Sequence, residues 1–252
     1  MENNISQKII AFATILALPF ALGAFVLAWA PAQQFYLSDP TYDGFVQPRS
    51  IAKLVEITQD STVTVYCDYG AGKYQYTQGT AFAVDLEHTQ GEKYKTTLLT
   101  NHHVIEKCLD NNKKIYVLAL VGEETEAVID RVDEDNDLAV LVTTLEVENL
   151  NFSNYKPRPG YWIAAVGSAD GYEGSVAFGN VLNMDKYELL ITAPLSSGNS
   201  GGPLIDNEGN VVGVNTKSRV GNDYQYNVAM SLDALCLKIM ECEDDVFWKV
   251  EE

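Results

Sequence analysis

An all-β architecture is what this chain predicts, and three observations predict it. Apolar residues make up 46% of 252 residues, enough to fill two barrels within one domain plus an appendage. They fall in short β-branched or alternating runs, while stretches at helical spacing are scarce. Gly, Asn and Asp punctuate those runs at near-regular intervals, the pattern of a barrel protein.

Taken in order, the chain opens on a segment unlike the rest. No charged residue occurs from Ile9 to Leu37, and Ile9–Ala30 is almost wholly apolar. As a helix it spans roughly 33 Å at about 1.5 Å per residue, against a hydrocarbon core of about 30 Å. Lys8 flanks it with the sign expected of a cytoplasmic end. The reading is a cytoplasmic stub and transmembrane signal-anchor over residues 1–30, then a tether over 31–50. A cleaved signal peptide is the alternative, since Ala28-Trp29-Ala30 is an A-x-A string; Pro31 after the cut and the length of the run oppose it. Strand-like runs follow at Ser61–Cys67, Tyr74–Leu86, Lys95–Thr100, Lys114–Val121, Ala127–Val132 and Leu138–Thr143. Polar residues and two prolines break the pattern over Glu146–Pro159, a linker. A second set runs Tyr161–Val166, Ser175–Leu182, Glu188–Ala193, Pro203–Asp206, Val211–Asn215 and Tyr224–Met230. A short helix, Ser231–Met240, precedes the acidic tail Glu241–Glu252, which reads as a solvated end despite Phe247 and Trp248.

Chemistry is concentrated in Gly198-Asn199-Ser200-Gly201-Gly202-Pro203-Leu204. Glycines around a serine allow a sharp turn and leave amide N–H groups uncovered. Those of Gly198 and Ser200 are placed to converge on one oxygen and stabilise a tetrahedral intermediate. A serine hydroxyl needs a positioned base, and the base a carboxylate that fixes its tautomer. The histidines are His88, His102 and His103, and an acidic run, Asp133 to Asp137, lies between them and the serine. Only Asp137 abuts the apolar run Leu138–Leu141, as a carboxylate aimed inward must; Asp133 and Asp135 read as solvated. His88 reads as a surface residue.

The local strings add a resemblance. Leu99-Thr100-Asn101-His102-His103-Val104-Ile105 resembles the L-T-N-N-H-V-I of Deg/HtrA-type serine proteases, which have the chymotrypsin fold. Asp137-Leu138-Ala139-Val140-Leu141 is similar to their D-L-A-V-L, Arg158 to Ser168 to their R-P-G-D-x-V-x-A-I-G-x-P, and Gly198 to Leu204 to their G-N-S-G-G-P-L. The likeness covers roughly Ser61 to Leu235, and the order His, Asp, Ser is that of the chymotrypsin fold. It implies two six-stranded antiparallel β-barrels with the active site between them, within a trypsin-like protease domain over 51–252 (barrel one about 51–145, barrel two about 160–240). It also implies Ser200 as nucleophile, His103 as general base, Asp137 as its orienting carboxylate, and Gly198 and Ser200 as the oxyanion hole. His102 stands where the family has asparagine and reads as a cleft-rim or solvated neighbour. Pocket walls are expected from Thr192–Ser197, Val214, Asn215, Thr216 and the strand holding Asn227. No acid lies among them, so small or medium apolar side chains are the expected preference, with Lys217 and Arg219 leaving acidic ones open.

The implied function is a membrane-anchored serine endopeptidase acting on polypeptides, its catalytic domain on the exported (periplasmic or extracellular) side. A catalytically idle, tethered binding module is the alternative. No cofactor is expected, and the cysteine spacing matches no metal site. A formal charge of -18 opposes a nucleic-acid partner, whose phosphates it would repel. Cys67, Cys108, Cys236 and Cys242 form an even set suited to disulfides in an exported chain. Cys67–Cys108 would tie the histidine helix to the first barrel. Cys236–Cys242 is opposed by their spacing on an unbroken helix, which leaves free thiols as its alternative. Phe35, Tyr36, Tyr42 and Phe45 would pack on a neighbouring subunit in a homo-oligomer or simply lie near the membrane. The residues after Ser200 leave no room for the peptide-binding PDZ domain common in the family.

Overall fold

The computed structural model of the chain describes residues 44–70, 75–110, 112–220 and 225–248, and for 217–220 and 225 the backbone alone. The predicted membrane segment Ile9–Ala30 and the aromatics Phe35, Tyr36 and Tyr42 lie outside the described residues. Among the described residues no helix is long and apolar enough to cross a membrane.

Two closed six-stranded barrels carry the fold. The first is built from β1 (Thr62–Asp68), β2 (Tyr76–Val84), β3 (Thr96–Thr100), β4 (Lys114–Ala119), β5 (Thr125–Asp133) and β6 (Leu138–Thr143), closing in the order β1-β2-β3-β6-β5-β4. The second contains β7 (Trp162–Ala169), β8 (Tyr172–Met184), β9 (Glu188–Ile191), β10 (Pro203–Ile205), β11 (Val211–Val220) and β12 (Gln225–Ser231), closing as β10-β11-β12-β9-β8-β7. Every strand pairing within the barrels is antiparallel. Closure removes the exposed sheet edges that such short strands would otherwise present.

Three apolar clusters hold this arrangement. Val63, Val65, Leu98, Ile115, Val117 and Leu141 fill the first barrel; Ile163, Leu189, Ile191, Leu204 and Val212 fill the second. The third joins them: Phe82, Leu99, Leu138 and Val140 from one barrel meet Trp162, Ile205, Val211, Val214 and Met230 from the other. Buried apolar area is the dominant favourable term in folding, so this seam fixes how the barrels face each other.

Among the described residues helices are few and short. The helix α1 (Ile51–Asp60) was not expected. Its signal was present: Ser50 caps the N-terminus by accepting the Lys53 amide at 3.3 Å, and Leu54 and Thr58 form its buried edge. The histidine helix α2 (His102–Ile105) runs into a 3-10 turn, Glu106–Cys108. The expected C-terminal helix is α3 (Leu232–Lys238).

Cys67 on β1 is bonded to Cys108, which ties the turn after α2 to the first barrel. Cys236 is bonded to Cys242, against the geometry of an unbroken helix. The helix stops at Lys238, Glu241 takes a positive φ of 50°, and the Cys242 amide returns to the Cys236 carbonyl at 3.1 Å. The tail is exposed at Glu241 and Glu243–Asp245, as expected of a solvated end, but docked at Phe247 and Trp248. That side chain is buried, its indole N–H donates to the Ser153 carbonyl at 2.9 Å, and the Phe247 amide donates to Asp233 at 2.8 Å.

Candidate active site

Strand register brings the histidine and the aspartate together. Thr100 on β3 pairs with Ala139 on β6, so the residues just beyond β3 meet those just before β6. The Asp137 carboxylate accepts from three donors. The His103 amide and ring Nδ1 both lie 2.9 Å from Oδ1, Nδ1 lies 2.7 Å from Oδ2, and the Thr216 hydroxyl donates to Oδ2 at 2.7 Å. Asn101 donates to the Asp137 carbonyl at 2.7 Å and so supports its left-handed backbone, φ 53°, a conformation aspartate tolerates better than most residues. Burial pushes the Asp137 carboxyl upward, but the His103 ring and amide, the histidine's charge and the Thr216 hydroxyl outweigh it and hold it below the usual carboxylate range. An ionised carboxylate only accepts, so Nδ1 carries the proton and Nε2 is left as the basic nitrogen.

Strand register in the second barrel places the serine. Pro203 pairs with Val214, which sets Ser200, three residues earlier, beside Thr216, two residues later. The Ser200 hydroxyl donates to the Thr216 carbonyl at 2.7 Å. Gly198 adopts φ 95°, and a Cβ there would strike the Ser168 carbonyl, so the turn demands glycine. Neighbouring amides are engaged: Asn199 to Ser196 O at 3.2 Å, Gly201 to Asn215 O at 2.8 Å and Gly202 to Asn199 O at 3.0 Å. Among the described residues the amides of Gly198 and Ser200 find no acceptor.

His103, Asp137 and Ser200 line one cleft of about 410 Å³, together with Leu195, Ser196 and Ser197 from the expected Thr192–Ser197 wall. Thr216 lines it as well. The other expected wall residues are placed differently. Val214 is fully buried in the seam between the barrels. Asn215 is buried and donates to the carbonyls of Val166 at 3.3 Å and Pro203 at 3.0 Å, pinning β11 to its neighbours. Asn227 is buried and donates to the Ala193 carbonyl at 2.7 Å. The side chains of Lys217 and Arg219 lie outside the described residues. Among the described residues no group of His, Cys, Asp and Glu is arranged to hold a metal ion.

Two acidic-loop and histidine expectations need correcting. Asp133 is buried, not solvated: it accepts from the Asn136 amide at 3.2 Å and side chain at 2.5 Å, with Lys238 3.5 Å away. Asp135 is exposed and bonds Lys238 at 2.6 Å. His102 is only 8% exposed, so it is neither solvated nor part of the cleft lining. The sequence reading also passed over Asn101 and Thr80; the first stands in the L-T-N-H-H string and the second beside Gly79 at the start of a buried run.

Comparison with known proteins places this geometry. The family model for the trypsin-like peptidase domain matches residues 79–214. A probable periplasmic serine endoprotease, DegP-like, from Chlamydia muridarum is 31% identical over 154 residues, covering 56% of this chain and 30% of the relative. The mitochondrial serine protease HTRA2 of Drosophila grimshawi is 30% identical over 188 residues, covering 66% of this chain and 42% of the relative. The chloroplastic Protease Do-like 5 of Arabidopsis thaliana is 31% identical over 185 residues, covering 64% and 54%. This chain thus spans about a third to a half of these relatives. Among solved structures, a serine endoprotease from Yersinia pestis superposes with a TM-score of 0.62 at 26% identity, covering 78% of this chain and 67% of that one.

Proposed function

Because the chain belongs to the trypsin-like peptidase family, we propose that it is a serine endopeptidase in which Ser200, His103 and Asp137 form the catalytic triad. One observation supports the reading: an Asp-oriented histidine and a serine, contributed by the two barrels, share a single cleft, and the amides of Gly198 and Ser200 beside that serine are unengaged. A χ1 rotation swings Ser200 Oγ from the Thr216 carbonyl to His103 Nε2. Oγ then attacks the scissile carbonyl carbon and its proton passes to Nε2. As the C–O bond forms, the carbonyl electron pair moves to oxygen, where the amides of Gly198 and Ser200 receive the charge. His103 returns the proton to the amine nitrogen as the C–N bond breaks, leaving an acyl-enzyme. Water, deprotonated by the same nitrogen, hydrolyses it. Asp137 holds Nδ1–H throughout and stabilises the imidazolium.

Export and anchoring belong to the same proposal. Two disulfides suit an oxidising compartment, and the apolar run Ile9–Ala30 suits a single-pass anchor. Among the described residues no acid but Asp137 lines the cleft, which supports apolar over basic side chains at the cleavage site.

Labelling with a serine-reactive fluorophosphonate tests the enzyme. The wild type should label and cleave an unfolded polypeptide, and Ser200→Ala should do neither while remaining folded. A wild type that neither labels nor cleaves would make the domain a binding module.

A further inference from the structure

Thr80 lies on β2 of the first barrel, yet most of its polar atoms are spent on the serine loop of the second. Its amide donates to the Ser200 carbonyl at 2.8 Å. Its hydroxyl donates to the Gly198 carbonyl at 2.6 Å and accepts the Ser168 amide at 2.9 Å. Its carbonyl accepts the Thr100 hydroxyl at 2.6 Å, within the string that carries His103. The side chain is fully buried. One residue therefore binds the carbonyls of both residues whose amides are unengaged, and it is linked through Thr100 to the strand end that presents the base.

From this geometry we infer that Thr80 is a positioning residue for the oxyanion hole, acting from the opposite barrel; the inference rests on the proposed peptidase activity. The Gly198 carbonyl belongs to the peptide unit lying between the two donor amides. Clamping that unit fixes the rotation on either side of it, and hence the directions of the Gly198 and Ser200 N–H bonds. The Asn199 amide of that unit is held by Ser196 O at 3.2 Å, so the Thr80 hydroxyl supplies the shorter of its two ties; without it a Gly-Asn peptide turns more freely, because glycine at φ 95° has little steric barrier to alternatives. Close approach is built into neighbouring residues too. A Cβ on Gly201 would strike the Thr80 carbonyl, and one on Gly167 would lie 3.0 Å from the Thr80 hydroxyl. Gly201 thus serves contact with the other barrel as well as the turn.

Thr80→Val keeps the shape and the backbone bonds but removes the hydroxyl, leaving the Gly198 carbonyl without its donor. The test measures kcat and KM on a peptide ester and a polypeptide, with thermal unfolding recorded for each protein. The valine variant should lose on the order of 10²-fold in kcat, the scale of a small misplacement of catalytic groups, with KM little changed. It should also bind a peptide aldehyde, which forms a tetrahedral adduct, correspondingly less well than wild type. Thr80→Ser restores the donor and should stay close to wild type. Wild-type kcat in Thr80→Val, a loss confined to KM, or equal damage in the serine variant would overturn the inference while leaving the peptidase assignment standing. If the valine variant does not fold, Thr80→Cys carries the test: its weaker donor should lower kcat, and wild-type kcat would overturn the inference. A wild type without activity removes both.

Discussion

His103 and His102 are chemically identical neighbours that the fold treats in opposite ways. The turn into α2 points His103 at Asp137, while His102 packs away from the cleft. His103→Ala should therefore cost about as much activity as losing Ser200, because residues that act as one unit fail as one. His102→Ala should leave kcat largely intact and lower thermal stability; the opposite pattern would show that the base has been misassigned. Asp137 adds a pH signature. Its folded pKa lies below the ordinary value, which for aspartate is about 3.9. The contribution is thus fully present above that value and is lost as pH falls through the lowered one. Urea unfolding of wild type and Asp137→Asn at neutral and strongly acid pH should show a stability gap that narrows only below about pH 4. A gap independent of pH would mean that the carboxylate's charge is not what the fold favours. Activity of that variant should fall by a factor of order 10⁴, since the amide stabilises the wrong imidazole tautomer.

At the scale of elements, the strands were legible because alternation and β-branching are local properties, and all twelve expected runs overlap observed strands. The helix α1 escaped notice because its apolar edge is narrow, with only Leu54 and Thr58 buried. The Cys236–Cys242 pairing turned on where α3 stops, a matter of backbone path and not of spacing. The two bridges differ in the chain they close, 41 residues against 6. On chain-entropy grounds the first is worth about 4 kcal/mol and the second about 2 kcal/mol. Replacing Cys67 and Cys108 by alanine together should therefore lower denaturant stability more than replacing Cys236 and Cys242. It should also depress activity, since the first bridge ends at the turn behind His103. Equal losses would show that the tie to the histidine helix carries no special weight.

For the whole molecule the prediction concerns topology. If Ile9–Ala30 anchors the chain, membranes should retain the protein through an alkaline carbonate wash, because about twenty apolar residues in hydrocarbon do not leave it for water. Protease added from the exported side alone should reach the catalytic domain. A soluble mature chain beginning at or just after Pro31 would replace the anchor with a cleaved signal peptide and leave the proposed chemistry untouched.

The sequence by itself determined the barrel class, the strand positions and the three residues to be examined as a triad. Each of these is written in local pattern: alternation, turn residues, and short strings such as Gly198 to Leu204. The tertiary structure alone decided what each side chain faces. It sent Val214 into the seam, Asn215 and Asn227 onto backbone carbonyls, and Asp133 into a buried turn. It also gave Thr80, from the other barrel, a hold on the serine loop. The physical reason is range. Propensity and periodicity act within a few residues, whereas direction and partner follow from how strands more than a hundred residues apart close and pack.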